Sequence, residues 1–170
     1  MSISFQNIDD HIIQMNDFDL SWRFTEAEYN VIPLEHLELI KPFDKSGSKF
    51  LNNFISQTNL HKSMPFTDGF FTTIDRINFG FDEEKDVRKW LYQRRFPFEK
   101  KVYLSWGEDH SLMTTWKLLI KYFDDFFYPS PDDLTVFDES LNWAILFFHE
   151  AEIYFGTNEK YNGNRIKRLC

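Results

Sequence analysis

The side chains best suited to chemistry are one histidine and several carboxylates in the last third of the chain. His149, Glu150 and Glu152 are nearly consecutive, and Asp132 and Asp133 precede them at the same expected end of a strand meander. Imidazole and carboxylate groups ligate metal ions, and paired acids can divide acid and base roles when burial separates their pKa values. A metal site is not favoured, because the segment has no HExxH spacing, second histidine or cysteine pair. A solvated turn is the preferred interpretation, and a small enzyme with a carboxylate/His site is an alternative.

Signatures of other catalytic classes are absent from the sequence. There is no Gly-x-Ser-x-Gly motif for a nucleophile, and the six glycines are isolated, so no glycine-rich loop could hold a phosphate. The single cysteine is Cys170, the last residue. We therefore expect no cofactor, no metal and no enzymatic activity.

Charge and aromatic content together give the strongest functional indication. The chain of 170 residues has 20 Phe, 7 Tyr and 5 Trp, and its formal net charge is -8. The charge is arranged in blocks: residues 1–40 and 102–157 are strongly acidic, whereas residues 41–101 and 158–170 are net basic. Opposite blocks could neutralise one another or be solvated. Alternatively, the two acidic blocks could join into one negative face.

That second possibility predicts a surface that binds a basic protein. Carboxylates accelerate the encounter with a cationic partner, and aromatic rings supply a desolvated centre. The acids and rings of residues 102–157 that fall at helix ends and strand turns are the candidate contacts. They are Asp124, Asp125, Tyr128, Asp132, Asp133, Asp138, Glu139, Trp143, Glu150 and Glu152.

A basic, aromatic stretch over residues 85–101 is the nearest approach to a nucleic-acid surface. Basic residues near the end of a helix are also favoured by the helix dipole, and the rest of the chain would repel phosphate. We therefore predict no nucleic-acid partner.

Hydrophobic periodicity and capping residues predict four helices and six strands along the chain. Helices are predicted over residues 33–40, 49–57 with Ser48 as N-cap, 82–96 with Asp82 as N-cap, and from Asp109 or Ser111 to about Phe127. Strands are predicted over residues 20–24, 70–79, 102–106, 134–137, 143–149 and 153–155, and the last three form an antiparallel meander.

These elements predict one α+β domain over residues 1–170, with a mainly antiparallel sheet of about five or six strands and helices packed on one face. Two subdomains that meet near residues 60–70 are the alternative. The N-terminus lacks a signal peptide, and the apolar runs are shorter than the roughly 20 residues that span a bilayer. The single cysteine fits a reducing compartment. We expect a cytoplasmic protein that is a monomer or weak dimer, with no membrane partner.

Residues 102–156 also resemble small bacterial proteins of no assigned activity. The resemblance is carried by residues 102–106, 114–116 and 128–133, by Trp143 with His149 and Glu150, and by residues 154–156. In its overall character, short, acidic and rich in Phe, the chain resembles immunity proteins that neutralise polymorphic toxins, including those of contact-dependent growth inhibition. This second resemblance implies a cytoplasmic protein that binds a toxin domain, often a basic nuclease, by occupying its substrate cleft or docking beside it. Carboxylates would then stand in for the phosphates of the substrate.

Overall fold

The structure is a computed structural model that describes residues 2–80 and 82–158. Cys170 and the last charge block beyond Asn158 lie outside these residues, and the extent of the domain over residues 1–170 stays a prediction. Within the described ranges, no helix combines the length and the apolar character needed to cross a bilayer.

Seven antiparallel strands form a single open sheet in the order β1-β4-β3-β5-β6-β7-β2. The strands are β1 (Lys41–Pro42), β2 (Thr73–Asn78), β3 (Lys101–Ser105), β4 (Ser111–Thr115), β5 (Leu134–Phe137), β6 (Trp143–Phe148) and β7 (Glu152–Thr157). The α+β class is confirmed, as is the meander of β5, β6 and β7, in which Thr135 lies opposite Leu146 and Ile145 opposite Phe155. The sheet has one or two strands more than expected.

The α-helices are α1 (Trp22–Thr25), α2 (Leu34–Leu37), α3 (Lys45–Gln57), α4 (Glu84–Tyr92) and α5 (Trp116–Phe126), and two 3-10 turns cover Ile8–His11 and Met15–Asp17. Helix α3 begins at Asp44, which accepts a hydrogen bond of 2.8 Å from the N–H of Gly47. Helix α5 begins where the Thr115 side chain accepts from the N–H of Leu118. Such N-caps satisfy backbone donors that the first turn of a helix leaves free.

Both faces of the sheet are covered, whereas the sequence predicted helices on one face. Alternation along β3 directs Val102 and Leu104 towards the core that contains α5, and Tyr103 towards the core that contains α3. Helix α4 packs on α5, and α1 packs on the C-terminal part of α5. Successive side chains of a strand point to opposite faces of the sheet. A strand whose side chains are apolar on both faces must therefore be covered on both faces.

Two element predictions were wrong, and two predicted N-caps moved. Residues 20–24 contain the helical turn α1 instead of a strand, and residues 111–115 form the strand β4 instead of the first turns of α5. Ser48 is buried within α3, and its hydroxyl accepts a 2.8 Å hydrogen bond from the Ser111 hydroxyl. The N-cap of α4 is Glu83, one residue after the predicted Asp82.

Candidate functional site

The predicted contact residues lie at both ends of the sheet. Strand β5 begins with Leu134 opposite Phe147 and ends with Phe137 opposite Ala144. Residues 132–133 and 149–152 therefore lie at the end where β5 begins, and residues 138–143 lie at the opposite end. Asp124, Asp125 and Tyr128 lie at the end where β5 begins. The Arg23 side chain places them there, because it donates both to Asp132 and to the carbonyl of Phe126, which lies between Asp125 and Tyr128 in sequence.

Trp143, predicted as an exposed ring, belongs to the core. It is 1% exposed and packs 4.6 Å from the ring of Phe96. Its Nε1 donates a 2.8 Å hydrogen bond to Asp138, which also forms a 3.0 Å ion pair with Lys100. Partial burial alone would raise the pKa of Asp138, but hydrogen bonds from Ser140, Lys100 and Trp143 lower it below its ordinary value. At this end of the sheet only Glu139 remains an exposed acid of the predicted set.

Asp132 is also buried, as the partner of an arginine that the sequence did not single out. Nη1 and Nη2 of Arg23 donate to the two carboxylate oxygens over 2.6 and 3.1 Å, and the two side chains are 5% and 8% exposed. Asp132 also accepts the N–H of Tyr128 over 2.8 Å. A carboxylate held in this way stabilises the interior and is removed from the predicted contact surface.

Most of the other predicted acids have partners within the chain. Asp124 pairs with Arg88 at 2.9 Å, Asp133 pairs with His149 at 2.9 Å, and Glu152 lies 3.7 Å from Arg76 and accepts from the hydroxyl of Tyr154. Asp125 accepts a 2.8 Å hydrogen bond from the side chain of Asn30. Glu139 and Glu150 have no lysine or arginine nitrogen within 4 Å among the residues described. The carboxylates of residues 102–157 therefore do not form one unpaired face by themselves.

The two acidic blocks nevertheless meet, through residues 21–38. Arg23 bonds Asp132, Asn30 bonds Asp125, and His36 hydrogen-bonds the hydroxyl of Tyr122 at 2.6 Å. The sequence predicted that the two acidic blocks could join into one negative face. In the structure, these three hydrogen bonds bring the blocks together, and each joins residues that are far apart in sequence.

Three aromatic side chains lie together where these blocks meet. The ring centroids of Trp22 and Tyr29 are 4.5 Å apart, and those of Trp22 and Tyr128 are 5.8 Å apart. The turn that follows α1 is closed by a 2.9 Å hydrogen bond from the N–H of Ile32 to the carbonyl of Phe24, which returns Tyr29 towards Trp22. Tyr29 is 48% exposed, and Trp22 and Tyr128 are partly exposed.

Exposed carboxylates lie in the same turn as two of these aromatic residues. Glu26 and Glu28 are exposed in the turn between Trp22 and Tyr29, and within residues 2–80 and 82–158 no lysine or arginine nitrogen lies within 4 Å of either carboxylate. We call Trp22, Tyr29, Tyr128, Glu26, Glu28 and Asp125 the aromatic–acidic surface. Sequence reasoning found Tyr128 and Asp125 but missed the four residues of the first block.

Exposed aliphatic side chains continue this surface along the chain. Val31 and Leu34 are 60% and 68% exposed, next to Tyr29 in sequence. Glu35 and Glu38 on and after α2 are exposed as well. Contiguous exposed apolar side chains rimmed by charge are typical of protein-binding regions.

Four of the seven basic residues in the stretch over residues 85–101 pair with carboxylates within the described ranges of the chain. Arg88 pairs with Asp124, Arg94 with Asp75 at 2.8 Å and Lys100 with Asp138, while Lys101 lies 3.9 Å from Asp9. Of its aromatic residues, Trp90 is buried, and Tyr92 and Phe98 are exposed. These pairs reduce the positive field that nucleic acid would need.

His149 and Asp133 are the pair that comes nearest to the histidine–carboxylate chemistry considered from the sequence. Their contact is exposed, and Asp132 points away from it towards Arg23. In the described part of the chain, no three His, Cys, Asp or Glu side chains are grouped so that they could hold a metal ion.

No family model, curated protein or solved structure matches the chain.

Proposed function

We propose that this chain is an immunity protein that binds a basic toxin domain, such as a nuclease, and neutralises it. The observation that carries the proposal is the aromatic–acidic surface, in which exposed rings adjoin carboxylates without a lysine or arginine partner among the described residues. It acts in the cytoplasm as a monomer or weak dimer.

The chemistry of this surface supports a basic protein as the partner. Trp and Tyr side chains supply large apolar contact areas and keep a polar group at the rim, which makes them common at the centre of binding interfaces. Exposed carboxylates attract a cationic partner over a distance and so raise the association rate. In a complex with a nuclease, the carboxylates of Glu26 and Glu28 would occupy positions that substrate phosphates otherwise take.

The buried Arg23–Asp132 pair supports the proposal in a second way. Arg23 lies 4.3 Å from the ring centroid of Tyr128 and 5.2 Å from that of Trp22, so the pair holds two of the three rings in place from within. A binding surface that is ordered before the encounter loses less entropy on association.

The test is rescue of cells from the toxin domain encoded beside the gene of this chain, combined with association kinetics. The test variant is Glu26→Lys/Glu28→Lys, and the matched control is Glu99→Lys/Glu139→Lys, which changes the charge equally at the opposite end of the sheet. We expect the wild type and the control to rescue growth. The test variant should associate at least about 10-fold more slowly at low salt and lose rescue.

Three results would count against the proposal. Absence of rescue by the wild type would exclude immunity to that toxin, and binding without rescue would favour an interaction domain of other purpose. Equal rescue and equal association rates for the two double variants would show that the aromatic–acidic surface is not the contact.

A further inference from the structure

Asp125 is hydrogen-bonded to a neutral side chain and, unlike Asp124 and Asp132, has no arginine partner within 4 Å in the part of the chain that the structure describes. Asn30 donates to its Oδ2, and no lysine or arginine nitrogen lies within 4 Å of its carboxylate among the described residues. The nearby Arg88 is bonded to Asp124 instead. Burial raises the pKa of Asp125, and repulsion by Asp124 adds to this, whereas the hydrogen bond from Asn30 and the charge of Arg88 oppose it. The carboxylate is therefore partly desolvated without a paired cation.

Tyr29 and Tyr128 belong to the two chain segments that adjoin this carboxylate. Tyr29 precedes Asn30, whose side chain holds Asp125, and both rings contact Trp22. Asp125 lies in the last turn of α5, three residues before Tyr128. Burial raises the pKa of Tyr128, and the negative charge of Asp125 adds to this rise. Aromatic faces attract cations, and the attraction grows when water is excluded.

The ring of Tyr128 already contacts one guanidinium inside the protein. Arg23 lies over Tyr128 while its carboxylate partner, Asp132, neutralises its charge. The structure therefore contains the complete set of contacts that a guanidinium makes here: a ring face and a bidentate carboxylate. A second guanidinium would find the same two kinds of group in this region: the carboxylate of Asp125 and the ring of Tyr29, which is about half exposed.

We propose that Asp125, Tyr29 and Tyr128 form a receptor for one arginine side chain of the partner. This inference rests on the proposed function, since it names the chemistry that the partner presents to the aromatic–acidic surface. Arginine fits better than lysine because its planar guanidinium can stack on a ring and donate two parallel hydrogen bonds to a carboxylate.

The direct test is a titration of isotope-labelled protein with N-acetyl-arginine amide, followed by NMR. N-acetyl-citrulline amide, which has nearly the same shape without the charge, is the matched control. We expect saturable shifts at the side-chain amide of Asn30 and at the rings of Tyr29 and Tyr128. The citrulline compound should bind at least about 10-fold more weakly, since charge-assisted hydrogen bonds are lost.

Two variants test the residues separately. Asp125→Asn keeps an acceptor for Asn30 and should weaken binding of the arginine compound about 10-fold or more. Tyr29→Leu changes a half-exposed side chain and should weaken binding without loss of folding. Asp133→Asn is the control, since it removes a neighbouring exposed carboxylate that pairs with His149. Equal binding by Asp125→Asn and wild type, or equal binding of the arginine and citrulline compounds, would overturn the receptor.

The cell-rescue experiment separates failure of this inference from failure of the proposed function. If Asp125→Asn rescues as well as the wild type while Glu26→Lys/Glu28→Lys does not, the receptor is wrong and the immunity function stands. If the arginine compound binds as expected but the wild type gives no rescue, the receptor stands and the immunity function is wrong.

Discussion

At the scale of single residues, the pairing of Arg23 with Asp132 decides which carboxylates face solvent. The two residues are 109 positions apart in sequence. Within the Asp132–Asp133 pair, one side chain enters the interior and the other bonds His149 at the surface. Two adjacent aspartates are indistinguishable in sequence until the arginine that selects one of them is known.

Removal of either partner should strongly destabilise the protein. Asp132→Asn keeps an acceptor for the N–H of Tyr128 but leaves the Arg23 charge buried without its counter-ion, so we expect the free energy of unfolding to fall by about 3–5 kcal/mol. Urea unfolding measures this, with Asp133→Asn as an exposed control expected to cost less than about 1 kcal/mol. The double variant Arg23→Met/Asp132→Asn should lose less than the sum of the single variants. Additive losses would contradict the pairing.

Tyr103 should give the protein a characteristic loss of stability at alkaline pH. Burial, with smaller contributions from Asp9, Glu139 and Asp138, raises the pKa of Tyr103 to about 12. In the unfolded chain a tyrosine ionises near pH 10. The stabilisation is therefore complete below about pH 10 and is lost as pH rises from 10 to 12. It is on the order of 3 kcal/mol, since the pKa rises by about 2 and each pKa unit is about 1.4 kcal/mol.

Urea unfolding of the wild type and of Tyr103→Phe between pH 9 and pH 12 measures this loss. The variant should lose less stability over that range, and Tyr92→Phe, which changes an exposed ring, should follow the wild type. The same pH dependence for all three proteins would refute the assignment to Tyr103.

At the scale of elements, period-two patterning predicted the meander correctly but failed where a strand runs directly into a helix. Leu112, Trp116 and Leu119 have helical spacing and are all buried, yet Leu112 lies in β4 and Trp116 begins α5. No glycine or proline separates the two elements. Thr115, whose side chain caps α5, was the available signal. Residues 20–24 alternate like a strand, but tertiary contacts of Arg23 favour a helical turn.

In β7, Gly156 is required by the ring that covers it. A Cβ at this position would lie 2.7 Å from both Cγ and Cε2 of Phe71 and closer still to Cδ2 of that ring. Because Phe71 is buried, the ring must move, and we expect Gly156→Ala to reduce the free energy of unfolding by about 1–3 kcal/mol. In a double-mutant cycle, Phe71→Leu should relieve part of this cost. A coupling of zero would mean that the ring accommodates the methyl group freely.

At the scale of the whole molecule, the edge strand β2 is built against pairing with a second copy. The N–H of Asn158 donates to the carbonyl of Asn142, so the backbone groups of Asn158 point towards β6. Because these directions alternate along a strand, the backbone groups of Thr157 point towards β2, and those of Thr73, which lies opposite Thr157, point towards β7. The outward backbone groups of β2 therefore belong to Ile74, Arg76 and Asn78. The N–H of Arg76 is already bonded to the Asp75 carboxylate at 2.9 Å.

Symmetry sets the registers in which two such edges could pair. In an antiparallel pair of two β2 strands, a residue whose backbone groups point outward must lie opposite another such residue. The two registers that satisfy this with the longest overlap place Asp75 opposite Asp75, or Arg76 opposite Arg76, of the second copy. Like charges directly opposite one another destabilise a strand pair. Charged residues on edge strands prevent edge-to-edge association in this way.

Removal of these charges should allow the edge strand β2 to pair with β2 of a second copy. In Asp75→Asn/Arg76→Thr, the asparagine can still accept from Arg94, and we expect association at concentrations where the wild type stays unassociated. Sedimentation velocity measures this, and Lys62→Thr/Asp68→Asn removes one exposed charge of each sign elsewhere. An unchanged oligomeric state in the edge variant, or association of the control alone, would contradict the prediction.

Neighbouring residues of the helical turn α1 have different environments. Arg23 is buried in the ion pair with Asp132, whereas Trp22 is partly exposed and the turn through Glu28 is exposed to solvent. Substitutions at the exposed positions should accordingly change the surface, while the buried Arg23–Asp132 ion pair keeps the fold unchanged. Under the proposed function, the specificity of binding could therefore change through a few surface side chains without any change in the sheet.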